Sequence, residues 1–248
     1  MTDPVAQAIL EDLATVERER VHRAATPGLA ARTLQLKTLQ QDRFHRAYHD
    51  LLAHPRYGGA ARFFLEELYG PRDFSRRDAQ FQRIVRPLVR LFPSEVVQTV
   101  AQLGRLHALS EALDTRMAEQ LPDGFGPADY VQAWRAVGQP EMRARQIDLV
   151  LAVGRALDVY TRKPLLRGML HMMRKPAALA GLAELQAFLE CGFDTFKAMA
   201  GAQVFLELIE QRERDWAQQL FDGDPEGRFI ALWAPATASA SSTAPTAS

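Results

Sequence analysis

The sequence predicts an all-α protein, a multi-helix bundle of about nine to eleven helices followed by a disordered C-terminal tail. Apolar residues recur at helical spacing along most of the chain, and the period-two alternation expected of strands is almost absent. Short segments rich in Pro and Gly separate the periodic stretches, as they do between antiparallel helices. From Ala234 onward the chain contains only Ala, Ser, Thr and Pro, a composition that cannot form a hydrophobic core.

The first three helices can be placed from their terminal signals. Asp3 followed by Pro4 predicts the start of the first helix, because Asp is a favoured N-cap and Pro suits the first helical position. The Thr-Pro-Gly segment at 26–28 interrupts it. A second helix is expected to run until the His-Pro pair at 54–55, and a third, short one should carry residues 57–68.

The fourth and fifth helices follow directly. Ser75 and the acid three residues later, Asp78, have the order of a capping box, so we expect a helix to begin at Ser75 with both side chains capping it. Pro87 is expected to bend this helix. Pro93 restarts the chain into a long fifth helix with an apolar inner face up to Met117.

The second half of the chain is predicted to form shorter helices. Residues 121–127 contain two Pro and two Gly and are the clearest internal loop. Pro164 and Pro176 are each expected to open a short helix. A further break is expected at Gly192, and residues 222–225 should close the ordered part.

We expect a single helical domain over residues 1–233 and a disordered tail over residues 234–248. The loop at 121–127 could separate two lobes, but both sides look equally helical, so one continuous bundle is equally plausible. No self-similarity with a period of about 34 or 40 residues is present, which argues against a helical repeat array.

The composition excludes several classes of protein. The 248 residues include 30 basic and 30 acidic side chains, so no strong overall field favours nucleic-acid binding. No window is apolar enough for a membrane-spanning helix, and the N-terminus lacks a secretory signal. The single cysteine, Cys191, cannot form an intrachain disulfide, and its apolar neighbours predict a buried, inert thiol. We expect a cytoplasmic protein.

Several stretches resemble the pattern of a known group of proteins. The most specific is the block FFLEELYGPRDFSRRD at residues 63–78, and further similar stretches lie at 106–114, 146–158, 172–176 and 185–199. The chain looks like a member of an uncharacterised all-helical proteobacterial family, a domain of unknown function, across most of residues 35–221. The resemblance implies a cytoplasmic helical fold, and it transfers no catalytic residue.

The densest polar cluster lies at the end of that block and is the first candidate site. Its members are Tyr69, Asp73, Arg76, Arg77 and Asp78. Adjacent guanidinium groups at a helix N-terminus could hold a carboxylate or phosphate, because exposed N–H groups and arginine forks both favour anions. The structural alternative, which we favour, is that Ser75 and the acids cap the turn while the arginines form surface ion pairs.

The histidines offer a second candidate, a metal or haem site. His45 and His49 are four residues apart and could face the same way, and His107 lies in an otherwise apolar helix, as a haem ligand would. The six histidines and 30 acids form no more acid-x-x-His pairs than chance predicts. We therefore predict no cofactor, and metal binding by these three histidines is the alternative.

The preferred functional hypothesis follows from missing motifs and uneven charge. The sequence has no Gly-x-Ser-x-Gly elbow, phosphate-binding loop or dinucleotide fingerprint. Residues 141–175 hold eight Lys or Arg against three acids, whereas residues 184–226 hold three against ten. Such surfaces could dock inside the chain, between copies or on a partner. The Met-rich run at 169–173 could line a groove or fill the core.

We therefore favour a non-enzymatic helical interaction or regulatory protein that acts through a protein partner or by self-association. No catalytic residue and no nucleic-acid partner is predicted. The first alternative is a helical-bundle enzyme or sensor holding metal or haem. The second is a small-anion binder at the helix start marked by Arg76 and Arg77.

Overall fold

The computed structural model of the chain describes residues 3–68, 71 and 73–233. In this part the protein is 83% helical and has no strand, which confirms the predicted all-α class. The tail expected to be disordered, residues 234–248, lies outside the described residues, as does Tyr69 of the first candidate site. No helix in the described ranges is both long and apolar enough to cross a bilayer.

The described residues form twelve α-helices, three of which have six residues or fewer. They are α1 (Pro4–Ala25), α2 (Leu29–Ala47), α3 (His49–Ala53), α4 (Gly58–Phe63), α5 (Ser75–Leu91), α6 (Ser94–Gln120), α7 (Pro127–Val137), α8 (Pro140–Thr161), α9 (Pro164–Leu179), α10 (Ala183–Ala198), α11 (Gln203–Asp222) and α12 (Arg228–Ala231).

The first helix confirms the prediction made from its terminal residues. Asp3 caps α1, because its Oδ1 accepts hydrogen bonds from the backbone N–H groups of Val5 at 2.8 Å and Ala6 at 3.2 Å. Pro4 occupies the first position. These are local interactions, so they can be recognised without knowing where the helix packs.

The predicted second helix is interrupted at Tyr48, which separates α2 from α3. Tyr48 leaves the helical conformation with its ring completely buried, and its hydroxyl donates to Glu213 on α11 at 2.6 Å. The partner lies 165 residues away, so this break depends on tertiary structure.

The short third helix continues from α4 into a π-helical turn over Phe64–Leu68. Phe63, Phe64 and Leu65 are all buried. A regular helix turns about 100° per residue and would aim three consecutive side chains around more than half its circumference. The wider π turn therefore accompanies the burial of three large neighbours.

Two predicted helix boundaries in the second half are wrong. α9 runs through Pro176 to Leu179, and the chain breaks at Gly181, where φ is +71° and the Leu182 N–H donates to the Ala177 carbonyl at 2.8 Å. The left-handed conformation suits Gly. α10 in turn passes through Gly192 without a break.

Gly192 is required for packing and does not end a helix. A Cβ atom built there would lie 2.9 Å from Cζ of Phe63, whose ring is buried and stacked on Phe188. α10 turns Gly192 and Phe193 inward, so Cys191, the preceding residue, faces outward. The thiol is exposed, and the prediction of a buried cysteine is wrong.

We predict that Gly192→Ala lowers the free energy of unfolding by roughly 1–3 kcal/mol, because the added Cβ would overpack the site against Phe63. Gly168→Ala in α9 is the matched control: a Cβ there meets nothing within 4 Å, so helix propensity should stabilise the protein by up to about 1 kcal/mol. Urea denaturation measures both. Equal shifts of the two midpoints would show that the contact with Phe63 does not limit this position.

The chain continues beyond the predicted end of the ordered part at residues 222–225. Asp224 accepts hydrogen bonds from the N–H groups of Phe229 at 2.9 Å and Ile230 at 3.0 Å, and so supports α12. Phe229 is fully buried against Tyr130 and Trp216. One aromatic anchor thus fixes a four-residue helix that has no periodic pattern of its own.

α6 is the central helix of the bundle, in contact with α1, α2, α5, α7 and α8. At Gly104 it approaches α1 closely, because a Cβ atom built there would lie 3.9 Å from side-chain atoms of Ile9 and Asp12. α6 and α8 come before and after the loop at 121–127 in the sequence, and they pack against each other. α7 packs on α11. This packing supports one continuous domain over residues 1–233, which stays a prediction.

The two oppositely charged segments meet inside the chain. Ion pairs join α8 and α9 to α10 and α11: Arg155 with Glu210, Arg167 with Asp194, Arg174 with Glu190, and Asp148 with Arg214, all at 2.7–3.1 Å. Three of the eight cations of residues 141–175 thus pair with acids of residues 184–226, so intramolecular contacts neutralise part of the charge asymmetry. It does not by itself require a partner.

Candidate functional site

A cavity of about 730 Å³ lies between the helices of the bundle. Its lining follows α6 from Val96 to Asp114, about 27 Å of helix at 1.5 Å per residue. Small-molecule sites are concave and usually enclose 300–1,000 Å³, so the volume is that of a typical ligand cavity.

One part of the cavity is mostly apolar, and its polar lining residues are Thr99, Tyr160 and Gln186. It lies between the first half of the α6 lining and helices α5, α8, α9 and α10. The apolar lining residues are Phe81, Ile84, Leu88, Leu91, Phe92, Val96, Val100, Leu103, Val153, Leu157, Leu166, Met169, Leu170, Met173, Ala177, Leu182, Leu185, Phe188, Leu189 and Phe193. Among them, Leu91, Met169, Met173 and Leu189 are also exposed, so they form the rim of the cavity at the surface.

The other part is polar and lies against the second half of the α6 lining. His107, Ser110, Glu111 and Asp114 lie on one face of α6, because they are spaced three, four and seven residues from the first. The remaining polar lining residues there come from α2 (Lys37, Gln40 and Arg43), α7 (Tyr130 and Trp134), α8 (Arg143 and Gln146) and α11 (Glu213).

Glu111 is the centre of the first buried ion-pair group. Its Oε2 accepts from Arg23 at 2.6 Å, and its Oε1 accepts from the Lys37 ammonium. Burial alone would raise the pKa of Glu111, but the positive charges of Lys37 and Arg23 outweigh it and lower the pKa to about 2. Glu111 is therefore ionised at neutral pH.

Asp114 lies one turn further along α6 and has the opposite electrostatic balance. Its Oδ2 is 4.0 Å from the Lys37 ammonium, and its Oδ1 accepts from Gln40 at 3.1 Å. Burial raises the pKa of Asp114 more than the charge of Lys37 lowers it, and the charge of Glu111 raises it further. Two neighbouring acids on one helix face thus differ in how readily they take up a proton.

A second buried group joins α2 to α11. Arg43 donates to both oxygens of Glu213, at 3.0 and 3.1 Å, and Glu213 also accepts from the Tyr48 hydroxyl. Desolvation opposes the charge on Arg43, but Glu213 and Tyr48 outweigh it and raise the pKa of the guanidinium. This bidentate geometry fixes both side chains at the edge of the cavity.

A third group comes from α7 and α8. The guanidinium carbon of Arg143 lies 3.9 Å from the ring centroid of Trp134, a cation–π contact, and its Nη1 donates to Gln146 at 3.3 Å. Gln146 in turn donates to the Ser110 hydroxyl on α6 at 2.8 Å. Ser110 is thereby held as an acceptor at the cavity wall.

Asp78 and His107 meet where the polar and apolar parts join. His107 Nε2 is 2.9 Å from Asp78 Oδ2, and the same oxygen accepts from Arg20 on α1. Burial would raise the pKa of Asp78, but the hydrogen bonds and charges of His107 and Arg20 lower it. This arrangement corrects the predicted capping box, because Asp78 faces the interior.

The helix start at Ser75 is capped by Asp73 instead. Its carboxylate accepts from the Ser75 N–H at 2.9 Å and from the Ser75 hydroxyl at 3.0 Å. The N–H hydrogen bond lowers the pKa of Asp73. The carboxylate thus takes the Ser75 N–H, one of the donors that an anionic ligand would use at this helix start.

Arg76 and Arg77 are not brought together. Arg76 is 81% exposed and pairs with Glu184 at 3.1 Å. Arg77 is largely buried between the rings of Phe74 and Phe188, 4.0 and 4.5 Å away, and donates to the Glu67 carbonyl at 3.2 Å. Desolvation lowers the pKa of Arg77. The two guanidiniums have different surroundings and do not form a shared anion clamp.

The three histidines of the metal alternative lie in different environments. His45 and His49 are exposed on α2 and α3, whereas His107 lies in the cavity wall with Asp78. In the described ranges, no group of three or more His, Cys, Asp or Glu side chains is placed to hold a metal ion. Binding of metal or haem stays a prediction, which elemental analysis and an absorbance spectrum would check.

Sequence reasoning missed most of the polar end of the cavity. A signal was present on α6, where Ser110, Glu111 and Asp114 interrupt the inner apolar stripe at helical spacing from His107. A charge in such a stripe indicates a buried partner. Lys37, Arg43, Arg143 and Glu213 gave no comparable signal, since each lies among other polar residues of its helix.

The fold and the site together define a class: an all-helical protein built around an internal cavity with one apolar and one polar end. The chain belongs to the family described as domain of unknown function DUF8198, whose match spans residues 19–227. This confirms the resemblance to a helical domain of unknown function. The match includes every polar cavity residue described above. No curated protein and no solved structure matches the chain.

Proposed function

We propose that this protein is a non-enzymatic, cytoplasmic carrier or regulatory protein that binds a small amphipathic molecule in its internal cavity. The observation that carries the proposal is the cavity of about 730 Å³, with a long apolar part and one polar end. A mostly apolar, chain-like molecule with a single polar end group matches this distribution. Binding of a protein partner or a second copy would then be a response to the ligand.

The volume and the walls of the cavity both support a binding site. The cavity opens at the surface beside Leu91 and Met169, so solvent or a ligand can enter it. A volume of about 730 Å³ lies in the range of small-molecule sites. Apolar walls favour an apolar ligand over water, because removing apolar surface from water is favourable.

The state of the polar groups favours binding over catalysis. Glu111, Glu213 and Asp78 are each held by buried or half-buried cations. His107 Nε2 lies 2.9 Å from Asp78, and Ser110 accepts a hydrogen bond from Gln146, so the structure does not pair Ser110 with His107 as a nucleophile and its base. Such fixed groups can orient the polar end of a ligand without a change in their own bonding.

The cavity can be tested by filling it. Val100 on α6 and Val153 on α8 line its apolar part, and we expect Val100→Trp/Val153→Trp to weaken binding of the probe N-phenyl-1-naphthylamine at least about tenfold. Val21→Trp/Val204→Trp, at two exposed positions on other helices, is the matched control and should bind the probe like the parent protein. Fluorescence titration measures all three.

Two outcomes of this experiment would contradict the proposal. One is unchanged probe binding in a cavity-filled protein whose circular dichroism matches the parent. The other is a parent protein that binds no probe and yields no apolar molecule to mass spectrometry after solvent extraction. A bound ligand should also raise the midpoint of thermal unfolding, since it stabilises the native state by mass action.

A further inference from the structure

The outer face of α9 is the most exposed apolar surface of a long helix in the described chain. Among the described side chains of α9, only Ala177 is buried. Leu165 is 80% exposed, Met172 73% and Leu179 91%. Burial of apolar surface normally holds a helix in place, so a helix with this much exposed apolar area has a second face available for contact.

These residues form a continuous stripe. Leu165, Met169, Met172, Pro176 and Leu179 are separated by four, three, four and three residues, so they lie on one side of the helix over about 21 Å. Met169 also lines the cavity, together with the exposed side chain of Leu91 from α5. The stripe is therefore continuous with the rim of the cavity.

The stripe has basic and no acidic neighbours on its own helix. The α9 sequence contains no Asp or Glu, and Lys163 and Lys175 are exposed at its two ends. α5 lines the same cavity and reaches the end of α9, where Arg83 donates to the Ala180 carbonyl at 2.9 Å, and it adds the exposed residues Arg86 and Arg90. No described acid forms an ion pair with Arg86, Arg90 or Lys175.

We propose that this face, the α9 stripe with its flanking basic residues, docks on the surface of an anionic phospholipid bilayer. A helix with an apolar face and Lys or Arg beside it binds in the interface by burying the apolar side chains between headgroups, while the cations attract anionic lipid. Unbranched Met side chains adapt readily to such an irregular surface.

A second copy of the chain fits this face less well. In a two-fold symmetric contact, α9 would face α9, and the basic residues of one copy would meet those of the other with no acid from either helix between them. Like charges at an interface are unfavourable. An anionic surface would attract these basic residues, so the charge pattern favours a bilayer over a second copy of the chain.

Docking of this kind would place the mouth of the cavity against the membrane. An apolar molecule could then pass between the bilayer and the cavity without crossing water. The proposal goes beyond ligand binding and does not depend on it, because vesicle binding can be measured on protein with an unfilled or a blocked cavity.

Vesicle sedimentation with the full chain tests the proposal. We expect binding to vesicles of phosphatidylcholine mixed with phosphatidylglycerol, little binding to phosphatidylcholine alone, and weaker binding as salt is added. Leu165→Asp/Met172→Asp should reduce binding about tenfold or more. Arg90→Glu/Lys175→Glu should reduce it by more than roughly 25-fold, since each lost cation is worth about fivefold and each new carboxylate is repelled by the anionic lipid.

Matched controls lie on other faces of the protein. Val21→Asp/Val204→Asp makes the same change at two other exposed apolar residues, and Arg18→Glu/Arg116→Glu reverses two other exposed cations. Both should bind vesicles like the parent. Equal binding to neutral vesicles, or equal losses in controls and test variants, overturns the proposal. So does light scattering that shows a dimer abolished by Leu165→Asp/Met172→Asp without any vesicle binding.

Discussion

Replacing Glu111 by Gln is expected to lower the free energy of unfolding by about 3–5 kcal/mol. The change removes the acid that accepts from both Arg23 and Lys37 and leaves these cations in the interior without their main partner. The amide has nearly the shape of the carboxylate, so the loss reports the charge and not a cavity. A loss of this size is a large part of the stability of a typical domain.

The measurement is urea denaturation followed by circular dichroism, with the slope of the transition checked for a change in the unfolded state. Glu119→Gln is the matched control. It lies on the same helix and pairs with His22 at 2.8 Å, but both side chains are well exposed, so its loss should stay below about 1 kcal/mol. Equal losses at the two positions would show that water screens Glu111 as well.

Acid is expected to destabilise the protein steeply, with about 3 kcal/mol of the loss due to Glu111. Its pKa is about 2 in the folded protein and should return to its usual value of 4.5 on unfolding, so the stabilisation is complete above pH 4.5 and disappears as the pH falls towards 2. Asp78, whose pKa is also lowered, acts in the same direction.

Asp114 has the opposite effect on the pH dependence. Its raised pKa means that the folded protein holds the proton more tightly than the unfolded chain, so Asp114 makes the folded protein more stable as the pH falls below its folded pKa.

The difference in stability between the parent protein and Glu111→Gln isolates the contribution of Glu111. Denaturation midpoints between pH 2 and 7 should converge at the acidic end. Parallel curves over this range would contradict the assignment of the low pKa to Glu111.

Local signals accounted for the helices that were predicted correctly. The cap at Asp3, the start of α9 at Pro164 and the loop at 121–127 each depend on a few adjacent residues, which the sequence displays directly. The predictions failed where a distant residue decides the outcome. Gly192 resembles a helix breaker until the ring of Phe63 is known to lie against it.

Pro176 shows how a local signal can be overridden. Because Pro is favoured in the first turn of a helix, a new helix was predicted to begin at Pro176. Instead, α9 continues through Pro176 to Leu179, and the chain turns at Gly181, which is left-handed. A Pro inside a helix loses one hydrogen bond. The carbonyl groups at this end are still used, since those of Pro176 and Ala177 accept from Ala180 and Leu182.

The candidate site was the least predictable part. The residues that line its polar end come from five helices, and Arg43 and Glu213 are 170 positions apart. Single-sequence reasoning detects charges but not which of them are buried together. It therefore singled out the dense run at 69–78. The polar side chains described there cap a helix, pair at the surface, stack between aromatic rings or contact His107.

The packing of α1 on α6 has a consequence for folding during synthesis on the ribosome. Arg23 reaches Thr115, 92 residues later, and Asp12 reaches Arg105, 93 residues later. At about 5–20 residues per second, α6 emerges roughly 5–20 s after α1. During that interval the apolar face of α1 is not yet packed against α6. We therefore expect this face to be accessible to chaperones at the ribosomal exit tunnel.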